Sequence, residues 1–352
     1  MNLTQPNPAN YRIPYLLNDF NGMPYRRLGR SGLRASNMGL GTWKFGFPAT
    51  GDGARTDAQT AWAILDRAIE LGVTFWDTAN RYNEASGNSE RVIGQWFQAN
   101  PDQRRNVVLA TKIYGGMDGR TPNHCRSARA NIFDATAASL QRLQLEYIDL
   151  LYLHSFDAET PVEETLSAIE DLVTRGWIRY FAVSNFTADQ IKLYQAVERQ
   201  ASCRCRAIAV QNKFDIMHGE SAGHPGVLAY AAAGTLSFIA YSPLARGLLT
   251  GRYRDPAQNG PGDRLYDEKA LDGLATPAAL AQVRELQEAA SEGGIAVAQL
   301  VLAYMLTLPG MGPCIPAASS VAQLEANAAA GKLALPAEQV RRVREICSRG
   351  CP

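Results

Sequence analysis

The chain has 352 residues, 46% of them hydrophobic and 20% charged, enough apolar material to bury a large core. Its 35 basic residues stand against 34 acidic ones for a formal net charge of +1, and no long basic run breaks that balance, which argues against a nucleic-acid or anionic-membrane partner. No stretch approaches the roughly 20 apolar residues of a membrane helix. The N-terminal "MNLTQPNPANYRIPYLLNDF" lacks the continuous apolar segment of a signal peptide. Six cysteines in this length do not make a disulfide scaffold. Cys203 and Cys205 are too close for a CxxC motif, no paired CxxC frames a metal site, and Cys347 and Cys351 read as loose thiols in a tail. A reducing cytoplasm suits this composition.

Residues 1–22 match no motif and are set apart as an N-terminal extension of unknown role, with Met23 as an alternative start. Residues 24–37, "PYRRLGRSGLRASN", hold a turn-forming Gly-Arg-Ser-Gly between short stretches and predict a hairpin. One alternation then repeats to about residue 330. Apolar runs at 38–43, 73–78, 107–113, 148–154, 180–185, 207–212, 236–242 and 312–317 read as strands, and amphipathic stretches separate them. In "PVEETLSAIEDLVTRG", Val162, Leu166, Ile169 and Val173 recur at helical spacing, Pro161 suits the first turn and Gly176 the C-cap.

Eight strand–helix units predict parallel strands with crossover helices, and eight is the number that closes a (β/α)8 TIM barrel. The alternative, an open doubly wound sheet, calls for a GxGxxG turn that is absent: "GLGTWKFG" and "YGGMDG" have the wrong spacing. The expectation is one barrel domain over 23–352, with the hairpin closing its floor. Residues 244 to about 276 form a long Gly-, Pro-, Asp- and Arg-rich loop after the seventh strand, of a length that in compact domains is usually functional or disordered.

In such a barrel Asp77, Lys112 and His154 end strands 2, 3 and 4 at the C-terminal face, where barrel enzymes place their chemistry, and Tyr82 follows on the next loop. These types form a proton-transfer device. A free tyrosine titrates near pH ~10, and an adjacent ammonium favours the phenolate and lowers that value. Asp77 keeps a buried Lys112 charged, and His154 orients a substrate oxygen. Taken singly, each has a structural reading: a loop cap, rim packing, an ion pair, a core histidine. Ser184, Asn185 and Gln211 end strands 5 and 6 with polar side chains facing the same mouth. His124, His218 and His224 lack ligand spacing and read as surface residues; no metal site is expected.

The motifs "DTANRY", "TKI", "LH", "VSNF", "QN", "YSPLARGLLTGRY" and "IPAASSVAQLEAN" resemble the aldo-keto reductase family in order and spacing over nearly all of residues 24–330. "GLGTW" and "YSPLARGLLTGRY" are most similar to the branch that includes potassium-channel β subunits and related bacterial reductases. The resemblance implies a catalytic tetrad of Asp77, Tyr82, Lys112 and His154, with Tyr82 the general acid in reduction. It implies that Ser184, Asn185 and Gln211 hold the nicotinamide carboxamide and that Tyr241 stacks on its ring. Ser242, Leu244, Gly247 and Arg252 match the loop over the pyrophosphate, and Arg264 a position near the adenosine end. Ser319, Gln323 and Asn327 match the segment that meets the adenine and the 2′-phosphate, while Thr42 and Trp43 touch cofactor and substrate.

The implied cofactor is NADPH, with NADH as the alternative, because Ala317 and Gln323 replace the Lys and Arg that many members pair with the 2′-phosphate. The implied reaction is hydride transfer between the nicotinamide and an aldehyde or ketone, or the reverse oxidation of a sugar or alcohol. Trp43, Phe45, Phe47, Tyr114, Phe156 and Tyr266 supply an aromatic lining on the loops. Two other classes remain open. One is a cofactor-binding regulatory subunit with little turnover, against which His154 argues. The other is a lyase using Lys112 as a Schiff base, which Asp77 disfavours. The partner expected is a small carbonyl or alcohol substrate, and the chain a monomer or small homo-oligomer.

Overall fold

The computed structural model describes residue 8 and residues 11–201, 205–253 and 259–349; Cys203, Cys351 and most of the first ten residues lie outside them. Three short strands, β1 (Asp19–Phe20), β2 (Met23–Arg27) and β3 (Arg34–Ser36), pair antiparallel as a small sheet. The barrel follows: β4 (Gly39–Gly41), β5 (Phe75–Asp77), β6 (Val108–Ile113), β7 (Ile148–Leu153), β8 (Ile178–Ser184), β9 (Ala207–Asp215), β11 (Ser237–Tyr241) and β12 (Met311–Ile315), with β10 (Gly219–Glu220) folded back on β9. Neighbouring barrel strands are parallel in the order 4-5-6-7-8-9-11-12. Parallel bridges Met38–Cys314 and Gly41–Ala317 join the last strand to the first. All eight strands expected from the apolar runs are present. The first is shorter than its run: Met38 makes only an isolated bridge to Cys314, and Thr42 and Trp43 lie beyond the strand's end.

Helices α1 (Ala58–Leu71), α2 (Tyr82–Ala85), α3 (Asn88–Ala99), α4 (Arg129–Leu143), α5 (Val162–Thr174) and α6 (Ala188–Gln200) separate the first six barrel strands. They are followed by α7 (Val227–Ala233), α8 (Arg264–Asp267), α9 (Leu271–Leu274), α10 (Pro277–Glu292), α11 (Val297–Met305), α12 (Val321–Gly331) and α13 (Ala337–Ser348). Local chemistry sets their ends. Asp57 caps α1 by accepting from the Thr60 N–H at 2.8 Å, and Gly72 ends it with φ 76°. A Cβ at Gly72 would also collide with the Phe20 carbonyl, so glycine is required there twice over. In α5 the apolar stripe is buried through Val162, Leu166, Ile169 and Leu172; Pro161 is the N-cap, and Gly176 takes the left-handed position just past the C-cap. The segment after β11 is less irregular than its composition suggests, because α8 and α9 form inside it.

Two apolar clusters divide the molecule. The larger lies between strands and helices. The smaller fills the barrel with Phe75, Ala110, Leu150, Tyr152, Ala182, Ala209, Ile239 and Ile315, and the hairpin seals its floor with Leu28 and Ala35. Side chains on a strand alternate between faces. Trp76, Leu109, Leu151, Val183, Val210 and Phe238 therefore point outward to the helices.

Candidate active site

That alternation places the site. Asp77 lies two residues beyond Phe75, Lys112 two beyond Ala110, His154 two beyond Tyr152, Ser184 two beyond Ala182, Gln211 two beyond Ala209 and Tyr241 two beyond Ile239. Each step of two keeps the inward face. The polar groups thus crown the barrel's inner stack at its C-terminal mouth.

Lys112 is 1% exposed, and its ammonium donates to the Asp77 carboxylate, to the Thr78 carbonyl at 2.9 Å and to the Tyr82 hydroxyl at 2.7 Å. The Tyr82 hydroxyl is also 3.3 Å from Asp77 Oδ1, and the Gln211 amide donates to Asp77 Oδ2 at 2.7 Å. The His154 ring meets the Tyr82 ring edge-on, with centroids 6.2 Å apart. Thr42 is buried behind the group, its hydroxyl donating to the Asp77 carbonyl at 3.0 Å. The structure brings the four expected residues into one constellation.

Its electrostatics differ from the sequence expectation at one point. Lys112 was expected to draw the Tyr82 phenol towards ionisation; instead burial, and then the Asp77 carboxylate, push the phenol well above its ordinary value. Burial also lowers Lys112, against Asp77 and Glu90, which favour its charge. Desolvation, then Lys112 and Arg81, lower His154 to about 3. At neutral pH the mouth therefore holds a protonated phenol and an uncharged imidazole. A phenol so placed keeps its proton until a stronger base, such as a developing alkoxide, forms beside it.

Next to this group lies a set of amides and hydroxyls. The Asn185 amide donates to the His154 carbonyl at 2.9 Å, and the Tyr241 hydroxyl donates to Asn185 Oδ1 at 2.9 Å. Ser184 donates to the Gln211 carbonyl at 2.9 Å. Beyond them Ser242, Ala245, Arg246 and Gly247 have φ of 56°, 47°, 57° and 102°. The turn is closed from within, the Ala245 N–H donating to the Ser242 carbonyl at 3.0 Å. Arg246 and Arg252 stand on the same loop, paired with Glu268 at 3.3 Å and, loosely, with Asp263 at 3.8 Å. Leu244 leads into this turn and accepts from the Gly247 N–H at 2.8 Å. Before α12, Gln323 accepts from the Ser319 N–H and hydroxyl, and Asn327 donates to the Ala317 carbonyl at 3.4 Å. Amide and aromatic groups followed by a turn bearing two arginines have the chemistry that an amide-bearing anionic dinucleotide calls for.

Other expected residues are distributed differently. Phe45 is 1% exposed and belongs to the outer core, so its ring is packed away from the mouth. Trp43 is 40% exposed, with its ring 6.5 Å from that of Tyr82. Phe156 is half-buried and packs edge-on against Phe186, and Tyr114 is half-buried beside Arg126 and Asp157. Arg264 stacks over Trp43 with 5.2 Å to its centroid and pairs with Glu268 at 2.9 Å. Two residues escaped the sequence reading. Glu90, fully buried, accepts from Thr111 at 2.6 Å and from Arg142 at 2.7 Å. Arg81 donates to the Gly116 carbonyl across the rim. Among the described residues no cluster suited to a metal ion is present, and no helix is long and apolar enough to cross a membrane.

The model of the aldo/keto reductase family matches residues 37–348. A probable voltage-gated potassium channel subunit beta from Arabidopsis thaliana is 32% identical over 310 residues, covering 87% of this chain and 90% of that protein. The uncharacterized oxidoreductase YrpG of Bacillus subtilis (strain 168) is 32% identical over 335 residues, 92% of this chain and 96% of its own. The aldo-keto reductase str7 of Strobilurus tenacellus is 30% identical over 329 residues, 92% of each.

Proposed function

Because the chain belongs to the aldo/keto reductase family and is an oxidoreductase of that family, we propose that it is an NADPH-dependent reductase of aldehydes and ketones, with Tyr82 as proton donor. The observation that carries this reading is the 2.7 Å contact from Lys112 Nζ to the Tyr82 hydroxyl, with Asp77 buried behind both. A bound nicotinamide would supply the hydride. Ser184, Asn185, Gln211 and Tyr241 would hold its ring and carboxamide, the Ser242–Arg252 turn its phosphates, and Ser319, Gln323 and Asn327 its adenosine end.

The chain's own residues would do the rest. The neutral His154 imidazole donates a hydrogen bond to the carbonyl oxygen and turns it towards Tyr82. As negative charge grows on that oxygen, the phenol releases its proton to it. The adjacent ammonium then stabilises the phenolate left behind. Trp43, Tyr114 and Phe156 would shape the pocket. In the oxidative direction the same groups take the proton back. The substrate is a small molecule, and the cysteine content suits a reducing cytoplasm.

A Schiff base at Lys112 is disfavoured, since all three ammonium donors are engaged, with Asp77, Thr78 and Tyr82. The channel-subunit relatives support a second reading, a cofactor-binding subunit with little turnover. One assay separates the two: NADPH and NADH oxidation on a mixed panel of aldehydes, ketones and sugars, with Tyr82→Phe beside the unaltered protein. Oxidation that vanishes in Tyr82→Phe supports the reductase. Tight cofactor binding without turnover moves the second reading to first place.

A further inference from the structure

We propose that Arg81 is a substrate-selecting residue that gives the site a preference for carbonyl compounds bearing a carboxylate, an inference that rests on the reductase reading above. Arg81 directly precedes Tyr82 at the start of the short helix α2. The two side chains leave the backbone in different directions. Tyr82 reaches Lys112, whereas Arg81 crosses to the loop after β6 and donates to the Gly116 carbonyl. Gly115 permits this path: a Cβ there would collide with Arg81 Cδ and crowd Nε, so the stem lies flat over a residue without a side chain.

The direction of that path matters. Asn185 directly follows β8, and Gln211 and Tyr241 stand on β9 and β11, the side assigned to the nicotinamide. Arg81 instead leans over the β6 side, next to β7 and its His154. A substrate whose oxygen sits between Tyr82 and His154 would pass beneath this guanidinium where its body extends over β6 and β7.

Arg81 also differs in charge balance from its neighbours on the rim. Arg264 is paired with Glu268, Arg55 with Asp267 and Arg126 with Glu159. Among the described residues no carboxylate lies within ion-pair distance of Arg81. Its guanidinium has five donors, and its one hydrogen bond to another residue among those described is to a backbone carbonyl. The same charge is among the influences that keep His154 unprotonated, so it is felt at the spot where the substrate oxygen would bind. An exposed, pinned guanidinium beside a neutral imidazole can receive a carboxylate in the two-pronged geometry that arginine favours.

The test compares 4-formylbenzoate with its methyl ester, two aldehydes of similar size that differ in charge. With NADPH at low ionic strength, kcat/KM is expected to favour the acid by about tenfold, chiefly through KM, and the preference to shrink as salt is added. Arg81→Met should reduce the acid's kcat/KM far more than the ester's, and Arg81→Lys should restore part of the difference. Gly115→Ala, which displaces the stem but keeps the charge, should narrow the ratio as well. Equal use of both aldehydes by the unaltered protein would overturn the inference while leaving the reductase reading intact. So would an Arg81→Met variant that loses both activities alike, which marks a structural role. If neither aldehyde nor any other carbonyl is turned over, the reductase reading falls, and the inference with it.

Discussion

Gln211 and Asp77 lie 134 residues apart in sequence, yet the Gln211 amide donates to Asp77 Oδ2 at 2.7 Å inside the barrel mouth. The other carboxylate oxygen takes Lys112. Asp77 is therefore held from two strands at once, and its charge is fixed where it can support the ammonium. Replacing Gln211 with Leu leaves Oδ2 desolvated without a partner. The expected loss is about 1–3 kcal/mol of stability, read by urea unfolding, together with lower turnover.

Tyr82→Phe is expected to lower kcat by about 10²- to 10⁴-fold, the range for a lost general acid, with little change in NADPH affinity. Single-turnover kinetics and fluorescence titration check the two halves. A variant that keeps its kcat would remove Tyr82 from the proton path.

His154 gives a pH dependence of definite sign. Its ordinary value is 6.5 and the folded value about 3, so the unfolded chain binds the proton first as pH falls. Stability is then lost from about pH 6.5 down to about pH 3, on the order of 4–5 kcal/mol over the window. His154→Asn should flatten the curve there. Unfolding midpoints at pH 7 and pH 4.5 for both proteins measure the difference.

Glu90 is buried with Arg142 and Thr111, and its charge favours the Lys112 ammonium. Glu90→Gln is expected to cost about 2–3 kcal/mol, less than a fully broken buried pair because Asp118 stays on Arg142 at 2.7 Å. It should also move the alkaline loss of activity to lower pH, since Lys112 then gives up its proton sooner. A pH–rate profile tests this; an unmoved alkaline limb would limit Glu90 to packing.

Gln323 spends its carbonyl oxygen on Ser319 and brings no charge to the end assigned to adenosine. Gln323→Arg is expected to lower KM for NADPH about tenfold relative to NADH by adding a charge-assisted contact to the 2′-phosphate. Equal KM changes for both cofactors would place that phosphate elsewhere.

Much of this was legible in the chain because strand ends are legible. Asp77, Lys112 and His154 each close an apolar run, and the two-residue repeat fixes which way they face. Phe45 was not, since an aromatic just after a strand looks the same whether it lines a pocket or fills the core. Arg264 was matched to a position by motif, but its stacking on Trp43 depends on a contact 221 residues distant in sequence. Glu90 reads as one more helix-surface acid until Arg142, 52 positions later, is brought against it. Arg81 sits between two motif residues and carries no sign of its own until Gly115 is seen beneath it.

The inward step of two residues has a consequence for how this barrel can vary. Core and chemistry share one parity: within a strand, an odd-length insertion or deletion exchanges the face that packs helices for the face that meets the ligand. Phe75, Ala110, Tyr152 and Ala209 accordingly act as plinths. A volume change at any of them is transmitted upward as a tilt of the polar group it carries, and should register in turnover before it registers in unfolding. The loops above the mouth have no such phase to keep, which leaves them to alter length and composition while the crown below stays in place.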